Sequence, residues 1–115
     1  MIRVDLPYPH KRLWPNGPKR NFHATAREKK NHRTWAWGAA KAEKGAVAGD
    51  PIPVRLIVYP KPTGPLPDRD NCVAALKAYQ DGIATAIGID DKHFAEPVVE
   101  FAETRTGRFV IEVGE

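Results

Sequence analysis

Residues 67–92 read PDRDNCVAALKAYQDGIATAIGIDDK and place carboxylates at both ends of an apolar middle. Asp68 and Asp70 come first, with Asn71 next to them, and Asp90 and Asp91 come last. The chain as a whole carries a net charge of +4, so acids gathered in one stretch need a reason. Clustered like charges repel and cost stability unless a cation sits among them. An all-oxygen set suits a hard cation such as Mg²⁺, which beside a phosphodiester can activate a water and stabilise charge on the phosphate.

The stretch between the acids has helical spacing. Val73, Leu76, Tyr79, Ile83 and Ile87 recur every three or four residues, as in a buried helical stripe, and Gly88 stops the run. At about 100° per residue, Asp70, Lys77 and Asp81 share one face, with the small Ala74 between them. Lys77 is therefore placed to stabilise a transition state or a leaving oxygen. Asp90 and Asp91 reach that face only if the following turn folds back. Each piece also has a purely structural reading. Asp68 or Asp70 suits a helix N-cap, Lys77 and Asp81 an i, i+4 surface pair, Asp90-Asp91 a solvated turn, and Cys72 a small core filler.

Other metals are not indicated. His10, His23, His32 and His93 lack zinc-ligand spacing, and one cysteine builds neither a sulfur site nor an internal disulfide.

The basic charge is uneven. Lys11, Arg12, Lys19, Arg20, Arg27, Lys29, Lys30 and Arg33 lie within residues 11–33 against a single acid, Glu28. A polyanion is the partner this implies; a solvated helix face with a basic loop is the structural alternative. The N-terminal MIRVDLPYPH lacks the apolar run of a signal peptide, and nothing approaches the roughly 20 apolar residues of a membrane helix. The expectation is a cytoplasmic protein of one domain, residues 1–115.

The remaining elements frame the acidic stretch. IRVDL (2–6) alternates as a strand does, and residues 7–23 form a long basic loop that Trp14 and Phe22 either pin to the body or offer to unstacked bases. Residues 24–44 predict a helix and 52–60 a strand; residues 97–115 predict a hairpin turning at Thr106-Gly107. The order β-α-β-α-β-β gives an α+β fold, a mixed sheet with two helices.

Taken together, these motifs resemble the RusA-type Holliday junction resolvases over nearly the whole chain. The likeness rests on LPYP after the first strand, D-x-D-N at Asp68, Asp70 and Asn71, L-K at Leu76-Lys77, D-G at Asp81-Gly82, and G-I-D-D from Gly88 to Asp91. The resemblance implies a homodimeric endodeoxyribonuclease of bacteria or their phages that cuts four-way DNA junctions with Mg²⁺, Mn²⁺ being able to substitute. It implies that Asp68, Asp70 and Asp91 are the essential metal-binding acids, with Asp90 also a ligand and Asn71 and Asp81 in support. Lys77 matches the essential lysine, although in the best-known members that lysine lies one turn after D-x-D-N, where this chain has Ala74. A DNA-binding protein of this fold without catalysis, and a metal-dependent nuclease for other branched nucleic acids, are the alternatives.

Overall fold

The computed structural model describes residues 1–18 and 20–115. Four strands, β1 (Ile2–Pro7), β2 (Val54–Tyr59), β3 (Val98–Phe101) and β4 (Arg108–Val113), form one mixed sheet in the order β1-β4-β2-β3. Two helices, α1 (Phe22–Ala42) and α2 (Arg69–Ile87), complete the α+β fold, with single 3₁₀ turns at Lys11–Leu13 and Asp91–His93. The element order is the one expected, and α2 has its predicted bounds. The first helix lies two residues earlier than expected, and Glu43, in extended conformation, follows its last residue.

The predicted hairpin does not form. β4 pairs antiparallel with both β1 and β2, while β3 pairs parallel with β2 on the sheet's other side. Burial explains the difference. Phe109, Val110 and Ile111 are successive buried residues, as a central strand requires, whereas Val98 and Phe101 are exposed, as an edge strand allows. Tight Gly107 therefore turns the chain, with φ of 72°, without joining paired neighbours. Because β2 and β3 run parallel, a crossover must link them, and α2 is that crossover.

One sheet face carries Ile2, Val4, Leu6, Leu56, Val58, Phe109 and Ile111 into a core shared with Ala36, Ala40, Leu76, Tyr79 and Ile83 of the helices. Cys72 is fully buried there, as a core filler. The other face bears an ion-pair ladder. Arg55 bridges Glu100 at 2.6 Å and Glu112 at 2.9 Å, and Arg3 reaches Glu112 at 2.7 Å.

The helices meet closely at Gly82. A Cβ there would overlap the backbone carbonyl of Arg33 and press on the Ala36 methyl. This contact sets Arg33 of α1 against the Asp81 region of α2.

Candidate functional site

The loop after β1 is held by its aromatic residues. Trp14 is buried, stacks on Tyr8 at 5.1 Å, meets Phe109 edge-on at 5.9 Å, and donates from Nε1 to the Pro9 carbonyl at 3.0 Å. Burial pushes the Tyr8 hydroxyl pKa up to about 12. Trp14 thus pins the loop as expected, and Phe22 does not: its ring is 78% exposed. A buried histidine adds a second tie. His32 Nδ1 donates to the Glu28 carbonyl at 2.7 Å, so its Nε2 is free of a proton and accepts the His10 backbone N–H at 3.1 Å. His10 Nδ1 in turn accepts the Arg12 N–H at 3.1 Å. This chain of bonds fixes the 3₁₀ turn bearing Lys11 and Arg12.

The acids divide between the two ends of α2. Asp68 occupies the N-cap position, yet its side chain makes no capping hydrogen bond. Asp70 lies in the first turn; its side chain is 95% exposed, 3.5 Å from Arg69. Beyond the helix, Gly88 adopts a left-handed conformation, φ 76°, and turns the chain back. Asp90 then caps the second 3₁₀ turn by accepting the Lys92 N–H at 3.1 Å. Asp91 meets Lys77, whose Nζ donates to Oδ2 at 3.1 Å. The lysine is thus paired with Asp91 and not with Asp81, the i, i+4 partner that the sequence offered.

Electrostatics follow from this geometry. Lys77 donates to Asp91 and holds its carboxyl below the usual carboxylate range; Lys77's positive charge adds to the effect, as do hydrogen bonds from Asp90 and Asp81. The same bond to Asp91 raises the Lys77 pKa. Asp81 moves the other way. Burial raises its pKa, Lys77 opposes the rise, and the hydrogen bond shared with Asp91 adds to it. The two carboxyl groups are thus shifted in opposite directions, Asp91 being the more readily ionised of the two.

Among the described residues, no three His, Cys, Asp or Glu side chains are gathered into a group arranged to hold a metal ion. The turn after α2 brings Asp91 to Lys77, and not to the helix mouth where Asp68 and Asp70 lie. Seven residues of helix separate Asp70 from Lys77, roughly 10 Å of rise. The one-face alignment read from the sequence holds for Ala74, Lys77 and Asp81, which line a common wall.

Two cavities flank this helix. Asp68 and Asn71 open onto one of about 410 Å³, shared with Lys11, Asn16 and Lys61. Lys77 and Asp81 open onto another of about 620 Å³, with Ala74 and Ala78 beside them and Arg12, Lys29 and Arg33 from across the cleft. The adjacent Lys11 and Arg12 thus reach different cavities. Arg20, Arg27 and Lys30 are exposed, and the Arg20 carbonyl accepts from Arg12 Nη1 at 2.6 Å. Lys19 lies outside the described residues. Sequence reasoning passed over Lys61 and Arg105. Arg105 donates to the Lys61 and Gly64 carbonyls at 2.7 Å each, fixing the loop that delivers Asp68. Lys61 follows the strand end at Pro60 and precedes the acidic motif, a position that could have drawn notice.

No helix among the described residues is long and apolar enough to cross a membrane. No family model matches the chain. A protein of Xylella fastidiosa (strain Temecula1 / ATCC 700964), named only as uncharacterized, is 36% identical over 120 residues, covering 98% of this chain and 76% of the relative. The fold and site define a small α+β protein with a lysine–carboxylate cluster beside a cationic cleft. At that identity and coverage the chain belongs to the family of the Xylella protein.

Proposed function

We propose that the protein is a metal-dependent endodeoxyribonuclease for branched DNA, cutting four-way junctions as a cytoplasmic homodimer. The observation that carries this reading is the 3.1 Å bond from Lys77 to Asp91, Lys77 itself lining with Asp81 a cleft whose opposite wall is Arg12, Lys29 and Arg33. A cationic wall attracts a phosphate backbone, and the carboxylates beside it repel one unless a cation offsets them.

The donor chemistry fits Mg²⁺. The candidate ligands form two separate pairs, Asp68 with Asp70 at the start of α2 and Asp90 with Asp91 beyond its end, and each offers carboxylate oxygen alone. Mg²⁺ commonly takes one or two carboxylates and completes its shell with water and phosphate. Asp68 makes no capping bond and Asp70 is open to solvent, so neither carboxylate is committed to the helix terminus. When bound, the ion supplies an activated water and neutralises phosphate charge. The chain's own residues do the rest. Arg12, Lys29 and Arg33 hold the backbone, and Lys77 Nζ faces charge developing on the phosphate, with Asp81 lining the same cleft in support. Asn71 supports Asp68 at the other cavity.

Two-fold pairing of subunits would supply the two matched nicks a junction needs. A nucleic-acid-binding protein without catalysis is the second reading, favoured by the separation of Asp68 and Asp70 from Asp91. Cleavage of a synthetic four-way junction in Mg²⁺, compared between wild type and Asp91→Asn, separates the two readings.

A further inference from the structure

Three hollows adjoin along one side of α1. The first holds Phe22, Lys29 and Arg33; the second is the α1/α2 cleft with Lys29, Arg33, Ala74 and Lys77; the third holds Arg33 and Trp37. Arg33 borders all three, and Lys29 borders two. Phe22, Lys29, Arg33 and Trp37 follow helical spacing, so they form a line on the helix surface. Its ends are aromatic and exposed: Phe22 at 78% and Trp37 at 44%. Fifteen residues of helix make the line roughly 22 Å long.

We infer that this line is a track for an unpaired nucleic-acid strand. Bases stack on Phe22 and Trp37, phosphates lie on Lys29 and Arg33, and one nucleotide enters the cleft over the small Ala74. Aromatic platforms at either end of a pair of cations suit unstacked nucleotides because every base has a π-face and every linkage an anion. Neither feature serves duplex DNA in the same way, since its bases are stacked and only its phosphates reach a convex surface. The cleft's 620 Å³ suits a small ligand group and not a double helix. Among the described residues, Asp81 is the one acid in the cleft wall, set against four cations. The inference rests on the nucleic-acid reading above and not on catalysis. It assigns the strand that the site grips when a branch exposes unpaired nucleotides.

The test is fluorescence anisotropy in EDTA, with a fluorescein-labelled 12-nucleotide oligothymidylate and a labelled duplex of equal length, at fixed salt. Wild type, Phe22→Ala, Phe22→Tyr, Trp37→Ala and Ala74→Leu are compared. All three positions are exposed, and circular dichroism checks the fold of each variant. Phe22→Ala, Trp37→Ala and Ala74→Leu should each weaken single-strand binding about tenfold and change duplex binding less than twofold; Phe22→Tyr should bind as wild type does. Intrinsic tryptophan fluorescence should be quenched by the strand in wild type and markedly less in Trp37→Phe. Single-strand binding within twofold of wild type in all three disrupting variants would overturn the inference. So would an equal loss on duplex, or no single-strand binding by wild type. Because the assay holds no divalent ion, the nuclease reading stands or falls separately, on cleavage in Mg²⁺.

Discussion

Lys77 of α2 and Asp91 of the following turn are joined by a 3.1 Å charge-assisted hydrogen bond across fourteen residues of sequence. The bond forms because Gly88 ends the helix in a left-handed conformation and returns the chain alongside its last turns. It ties that carboxylate to an ammonium that lines the cleft bordered by the arginine and lysine of α1.

Removing either partner should stop cleavage without unfolding the protein. Lys77→Met should lower junction cleavage on the order of 100-fold, the scale of losing one preorganised cation at a transition state. Asp91→Asn should abolish it. Both side chains are substantially exposed, so the melting temperature should barely move, as for most surface pairs. Junction binding in EDTA should persist in both. Normal turnover by Asp91→Asn would remove that residue from the site.

Asp68 separates a catalytic role from a capping one. A capping aspartate typically contributes about 1 kcal/mol. Asp68 makes no side-chain capping bond, so Asp68→Ala should change unfolding free energy by less than about 0.5 kcal/mol, read by urea denaturation without metal. A loss of 1 kcal/mol or more would assign it to helix capping.

Gly82 should tolerate no side chain. Its place against the Arg33 carbonyl and the Ala36 methyl leaves no room for a Cβ. Gly82→Ala gains helix propensity but forces α1 and α2 apart, and should cost about 1–3 kcal/mol net. It should also weaken nucleic-acid binding, because Arg33 moves with α1. A stabilised Gly82→Ala protein would show that the helices separate without penalty.

His32 should make the basic loop sensitive to acid. Burial lowers its pKa from the ordinary 6.5, with the Glu28 carbonyl and charge opposing and His10 assisting. The unfolded chain therefore takes up this proton more readily than the folded one. His32's stabilisation is full above pH 6.5 and is lost as the pH falls from there through the folded value. Protonated Nε2 cannot accept the His10 N–H, so the turn carrying Lys11 and Arg12 loses its anchor. Thermal unfolding from pH 8 to pH 5 should show a steeper drop for wild type than for His32→Gln. Parallel profiles would exclude His32 as the responsive group.

Much of the frame was legible in the chain. The alternation of Ile2, Val4 and Leu6 gave β1, and the stripe from Val73 to Ile87 gave α2 to the residue, because both patterns report burial on one side of a regular element. The proposed 97–115 hairpin failed because local pairing around Gly107 is the default reading of two short apolar runs. Insertion of β4 between β1 and β2 is a long-range choice that only the whole sheet determines. At the site, shared helical phase predicted that Ala74, Lys77 and Asp81 lie together. The approach of Asp91 to Lys77 depends on the direction of the chain after Gly88, which spacing does not encode. The line from Phe22 to Trp37 went unnoticed because two exposed aromatics fifteen residues apart have no local signature.

The central claim is most directly tested by a gel assay of the purified protein on a synthetic four-way junction and a matched linear duplex. Each substrate is given Mg²⁺ or EDTA, with Asp91→Asn and Asp70→Asn alongside wild type. The account predicts paired symmetric nicks on the junction alone, absent in EDTA and with either variant. Junction binding by wild type with no cleavage in Mg²⁺ or Mn²⁺ would contradict it and leave a DNA-binding protein whose acids serve another purpose.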